Sequence, residues 1–70
     1  MSNIINNLQY LIQKRGITVA ELAATLSVST EQITRLKNGE LKNPPLETVI
    51  RLSKYFDISL ESLVFEKLVA

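Results

Sequence analysis

The chain has 70 residues, a formal net charge of +1, and neither cysteine nor histidine. Those absences exclude disulfides, Cys/His zinc sites, a thiol nucleophile and a histidine base, and so small a positive excess does not by itself announce a nucleic-acid binder. At this length folding buries only about 60% of the unfolded surface, so nearly every aliphatic side chain is needed for the core of one domain spanning residues 1–70.

Every junction along the chain carries a start or stop signal, and together they predict an all-α fold of five helices with short connections. The first helix runs from about Asn3 to Arg15 with Ile4, Leu8, Leu11 and Ile12 on one stripe. It ends at Gly16, which takes a left-handed cap without a steric penalty. Thr18 and Glu21 make a capping box at the start of the second helix, each side chain satisfying a backbone N–H the helix leaves orphaned, and Ser29 and Gln32 repeat the device at the third. The two starts are eleven residues apart, so the second helix is too short to persist alone. Asn38-Gly39 ends the third helix. In the polar loop that follows, Pro45 suits the first turn of the fourth helix and biases Pro44 toward an extended conformation. The fourth helix, Leu46 to about Phe56, offers Leu46, Val49, Ile50, Leu52, Ser53 and Phe56 inward. Asp57-Ile58 turns the chain, Ser59 caps the fifth helix, and Glu61 lies near that helix's positive end.

The middle of the chain has the spacing of two short helices crossing at a sharp turn. Leu22, Ala23 and Leu26 face the core from the second helix, Val28 plugs the turn, Ile33 and Leu36 face it from the third, and the small Ala23 permits close approach. This is the arithmetic of a helix-turn-helix, a motif that can lay its second helix in the DNA major groove. Charge is unevenly placed: Lys14, Arg15, Arg35, Lys37 and Lys42 precede Pro44, whereas Glu47, Asp57, Glu61 and Glu66 make the last third acidic on balance. No apolar run approaches the roughly 18 residues that span a bilayer, and Met1-Ser2-Asn3-Ile4 has no charged region followed by an apolar one. A cytoplasmic protein without a membrane partner is the expectation. No cofactor, metal or small-molecule substrate is suggested, and Asp57, Glu61 and Glu66 are explained by turns and exposed helix faces rather than by catalysis.

Beyond the two central helices, the pattern resembles the Cro/C1-type helix-turn-helix family, also described as XRE-like or lambda-repressor-like. The resemblance covers Ile4 to about Phe65. It is carried by Gly16-Ile17-Thr18, Ala20-Glu21-Leu22-Ala23, Leu26, Val28-Ser29, Ile33, Leu36, Asn38-Gly39, Asn43-Pro44, Leu46-Glu47-Thr48-Val49 and Ile58-Ser59-Leu60-Glu61. It implies a compact five-helix domain that binds double-stranded DNA, usually as a homodimer on a near-palindromic site, with helix three in the major groove. Transferred position by position, Thr30, Glu31, Thr34 and Arg35 would line the groove. Gln32, one place further round, would be a capping and interior-side residue. Thr18, Ser29, Lys37, Asn38, Lys42 and Asn43 would grip phosphates, which supplies affinity and register rather than sequence choice.

Each of these residues also has a reading that needs no ligand. Arg35 is suited to bond a guanine O6 and N7 bidentately, or is a solvated arginine or phosphate contact. Glu31 accepts from a cytosine amino group or merely complements the positive helix end. Three positions depart from the family pattern. Val19 stands where a glutamine commonly braces the DNA backbone. Ile12 and Lys37 stand where an arginine and an acidic residue often pair. Ser27 stands where the turn usually has glycine, and a left-handed conformation there would cost roughly 1 kcal/mol.

The fifth helix and its continuation carry Leu60, Leu63, Val64, Phe65, Leu68 and Val69, more apolar surface than a short helix buries in its own domain. Leu60, Val64, Phe65 and Leu68 are expected to meet a second subunit, the alternative being that Leu60, Leu63 and Val64 belong to the core and the last residues fray. Two functions follow as expectations. One is a sequence-specific transcriptional regulator, a repressor acting on an inverted repeat. The other is a protein-interaction module on the same fold, an antirepressor or assembly partner, favoured by Val19, Ser27 and Glu31.

Overall fold

The computed structural model describes residues 3–68, and the expected Val69 contact lies outside them. The helices are α1 (Ile4–Arg15), α2 (Val19–Leu26), α3 (Thr30–Lys37), α4 (Leu46–Phe56) and α5 (Leu60–Phe65), with no strand among the described residues. They enclose one core in which Leu8, Leu22, Ile33, Leu36, Leu52, Phe56 and Leu63 are almost wholly buried, so every helix contributes to it. Each such side chain contributes about 1.5–3 kcal/mol by leaving water. The first-helix stripe and the α2 and α3 inward positions read from the sequence are all buried, and Val28 is packed against the core from the turn between them.

The starts of the helices follow local chemistry. Thr18 Oγ1 accepts from the Glu21 N–H at 3.0 Å while Glu21 Oε1 accepts from the Thr18 N–H at 2.9 Å, a complete capping box. At α3 the device is only half built. Ser29 Oγ accepts from the Gln32 N–H at 3.1 Å, but Gln32 Oε1 accepts from the buried Thr48 hydroxyl at 3.4 Å instead of returning to Ser29. The α4 partner outcompetes the local one because Gln32 faces the interior side of α3.

Two further expectations are corrected. Pro45 is the N-cap of α4, extended at ψ 141°, rather than a residue of its first turn; its carbonyl accepts the first helical bond, from Val49. Leu46 is 65% exposed, and Thr48 takes its place in the buried stripe with Val49, Leu52, Ser53 and Phe56. The apolar register continues through Leu46, but the core ends before it. Ile50 is only half-buried.

The ends of the helices are secured by side chains from elsewhere in the fold. The final carbonyls of a helix have no partner within it. Arg51 of α4 donates to the Leu26 carbonyl at 2.7 Å, closing α2. Gln9 of α1 donates to the Lys37 carbonyl at 2.6 Å, closing α3. Arg15 of α1 donates to the Phe56 carbonyl at 3.0 Å, with its guanidinium 5.3 Å from the Phe56 ring centroid, closing α4. Asn7 of α1 closes α5. Its Nδ2 donates to the Leu63 and Glu66 carbonyls, both at 2.7 Å, and its Oδ1 accepts from the Leu68 N–H at 3.0 Å. Asn7 is fully buried, and among the described residues no buried side-chain nitrogen or oxygen lacks a partner.

Candidate nucleic-acid interface

α3 divides into two faces. Ile33 and Leu36 are buried, while Thr30, Glu31, Thr34 and Arg35 are exposed at positions i, i+1, i+4 and i+5, which share one side of a 3.6-residue helix. The helix is held by its buried face, by the Ser29 cap in front and by Gln9 behind, so its outer face is presented by a fixed support. On that face the Arg35 Nη2 donates to Glu31 Oε2 at 3.0 Å. The sequence reading placed both residues here but did not foresee that they pair.

The residues expected to contact phosphates stand on several elements. Thr18 and Ser29 are exposed N-caps; each hydroxyl oxygen accepts a backbone N–H, which leaves the O–H as a donor for an anion. Lys37, the last residue of α3, is half-buried, and Asn38 is its exposed C-cap. Lys42 and Asn43 are exposed in the loop beyond. That loop is folded back onto α3, because the Glu40 and Leu41 N–H groups both donate to the Arg35 carbonyl, at 2.8 and 3.1 Å, after a turn at Gly39 with φ 81°. Lys42 and Asn43 thus follow a segment tied to the residue that carries the outermost arginine.

At the three positions that depart from the family pattern the fold has made other arrangements. Val19 is half-buried against the core. Ile12 is buried, and α1 is fastened to the end of α3 through Gln9 rather than through an ion pair. Ser27 adopts the left-handed conformation, φ 58° and ψ 39°, and Asp57 does the same after α4 at φ 57°.

The four side chains expected at a subunit contact are not alike. Phe65 is 65% exposed, whereas Leu60, Val64 and Leu68 are half-buried against the core, and the Leu68 backbone is held by Asn7. Leu60, Val64 and Phe65 line an open apolar groove of ≈ 480 Å³ with Ile4, Leu46 and Val49, and Lys42, Asn43 and Glu61 are also in its lining. The groove was not anticipated, since Leu46 was assigned to the core. The capping residues Asn7, Gln9, Arg15 and Arg51 were also missed. For Asn7 a signal existed: it falls between Ile4 and Leu8 on the buried register, where a polar side chain has to find polar partners.

Among the described residues no cluster of three or more acidic, cysteine or histidine side chains is placed to hold a metal ion. No helix among them is long and apolar enough to cross a membrane.

Comparison with known proteins agrees with this architecture. The family model of the Cro/C1-type HTH DNA-binding domain matches residues 7–64. A protein of Coxiella burnetii (strain RSA 493 / Nine Mile phase I) described as an uncharacterized HTH-type transcriptional regulator is 30% identical over 67 residues. The match covers 96% of this chain but only 31% of that protein, so the chain spans about a third of the length of the curated relative. No solved structure gives a significant match. The chain belongs to the Cro/C1-type helix-turn-helix DNA-binding domain family.

Proposed function

We propose that this member of the Cro/C1-type family is a sequence-specific transcriptional regulator, acting as a repressor in the cytoplasm, and that residues 1–70 form one DNA-binding domain. The observation that carries the reading is the outer face of α3, where four polar side chains stand together on a helix anchored at both ends. A helix of this kind fits the major groove, whose width admits one helix and whose base edges distinguish all four base pairs. Arg35 reads a guanine, while Thr30 and Thr34 offer methyls to thymine or hydroxyls to bases. Glu31 lies on the same face. Thr18, Ser29, Lys37, Asn38, Lys42 and Asn43 hold the phosphates and fix the register.

The same protein binds an inverted repeat as a homodimer, with half-sites about 34 Å apart. Support comes from the groove beside α5. Phe65 and Leu46, each 65% exposed, are among the apolar side chains that line it and would be covered by a second copy. Occupancy of the site excludes or redirects polymerase. No cofactor takes part in this reading.

Selection of bound duplexes from a random pool at moderate salt tests it. The expected result is an enriched inverted repeat; no enrichment above bulk, at salt low enough to retain nonspecific binders, would overturn it. The exposed apolar groove also favours a second reading, a protein-interaction module on the same fold. A chain that binds no duplex DNA at low salt but associates through Leu46 and Phe65 would establish that alternative.

A further inference from the structure

The Glu31–Arg35 pair is poorly explained by stability. Its side chains are 72% and 58% exposed respectively, and an ion pair that open to water contributes almost nothing to folding because solvent screens it and two flexible chains must be held still. Its geometry matters more for what Arg35 meets outside the protein. A guanidinium has five N–H donors in a rigid fork, so engagement of one Nη2 donor by Glu31 leaves the others available while favouring one direction of the fork. The carboxylate has a second effect: it neutralises the outermost cation of the helix and repels phosphate oxygens.

Resting on the DNA-reading role proposed above, we propose that Glu31 is a positioning residue for Arg35. It aims the arginine at one guanine and lowers the affinity of α3 for DNA that lacks this base pair. The net charge of +1 makes the second effect consequential. With so weak a general attraction to the polyanion, removal of one negative charge from the contact face changes nonspecific binding measurably. Specificity is then gained by subtraction as well as by contact.

The test compares wild type, Glu31→Ala, Glu31→Gln, Arg35→Ala and the double alanine variant, each confirmed folded by circular dichroism. The probes are the best duplex recovered from a random pool, that duplex with each G·C pair changed in turn to A·T, and bulk random-sequence duplex. Arg35→Ala identifies the G·C pair that Arg35 reads. Glu31→Ala is expected to reduce discrimination at that pair by about tenfold and to raise affinity for bulk duplex about threefold at low salt. Glu31→Gln, which keeps an acceptor at the same reach, is expected to recover much of the discrimination while keeping the higher bulk affinity. In the Arg35→Ala background, Glu31→Ala should alter no base preference.

Unchanged discrimination in Glu31→Ala, with Arg35→Ala still abolishing it, would overturn the positioning role and leave the DNA-reading role intact. Equal losses in the glutamine and alanine variants would assign the effect to charge at the helix end and also overturn it. If no duplex is enriched, or Arg35→Ala shifts no base preference, the DNA-reading role itself fails and this inference with it.

Discussion

The seam between α1 and α5 and the outer face of α3 use similar polar groups in opposite ways. At the seam, Asn7 is fully buried and its amide is committed to four backbone groups of the α5 end and its continuation, while Asn3 adds a bond from its backbone N–H to the Val64 carbonyl and one from Nδ2 to the Phe65 carbonyl. On α3, Arg35 and Glu31 hold only each other, in water. A buried amide has to spend its hydrogen-bonding capacity within the fold, since an orphaned group there costs about 1–3 kcal/mol. An exposed arginine keeps most of its donors for a ligand. The difference separates residues that make the structure from residues that the structure carries.

The largest effect that would sharpen this contrast is expected from Asn7→Ala, which orphans the carbonyls at the end of α5. It should destabilise the protein by about 3 kcal/mol in urea titration; a loss below roughly 1 kcal/mol would mean that water replaces the amide readily. Arg35→Ala is the converse. Stability should change by no more than about 0.5 kcal/mol, while affinity for the selected duplex falls by about 1–3 kcal/mol with relaxed base preference. Lys42→Ala, by comparison, should weaken binding to every duplex and reduce the salt slope by about one. A large stability loss in Arg35→Ala would erase the distinction between the two regions.

Arg51 lies between these extremes, with a side chain 40% exposed that reaches the Leu26 carbonyl and lies 3.6 Å from Glu47. Its replacement by alanine should lower stability by about 1 kcal/mol, with the Leu26 carbonyl bond accounting for nearly all of it. Glu47→Ala, measured by the same denaturation, should therefore change little. A small effect of opposite sign is expected at Ser27, where the left-handed backbone favours glycine. Ser27→Gly should raise stability by about 0.5 kcal/mol, the relief of the Cβ strain being offset in part by a more flexible unfolded chain.

The helices and most of the core were legible because they depend on short-range patterns. Gly16 stops α1, Thr18 and Glu21 start α2, and apolar residues recur at helical spacing through all five elements. The buried role of Asn7 is not legible in the sequence because its partners lie 55 to 61 residues away, and no local pattern names a carbonyl that only packing brings near. Gln9, Arg15 and Arg51 are ordinary surface side chains until the helices they close are placed beside them. The inward placement of Leu46 fails because periodicity gives a direction around the helix but not the depth at which the core ends. On the candidate interface, the exposed positions of α3 followed from the burial of Ile33 and Leu36. The Glu31–Arg35 bond is legible in the four-residue spacing alone.

The closing of α3, α4 and α5 by Gln9, Arg15 and Asn7 makes α1 a common fastening for the C-terminal ends of three helices. None of these ends can fray fully without breaking a bond to the same helix. Amide hydrogens near the ends of α3, α4 and α5 should accordingly exchange more slowly than those of a helix end with no such bond. Detachment of α1 would release all three at once, and with them the rigid backing of the outer face of α3.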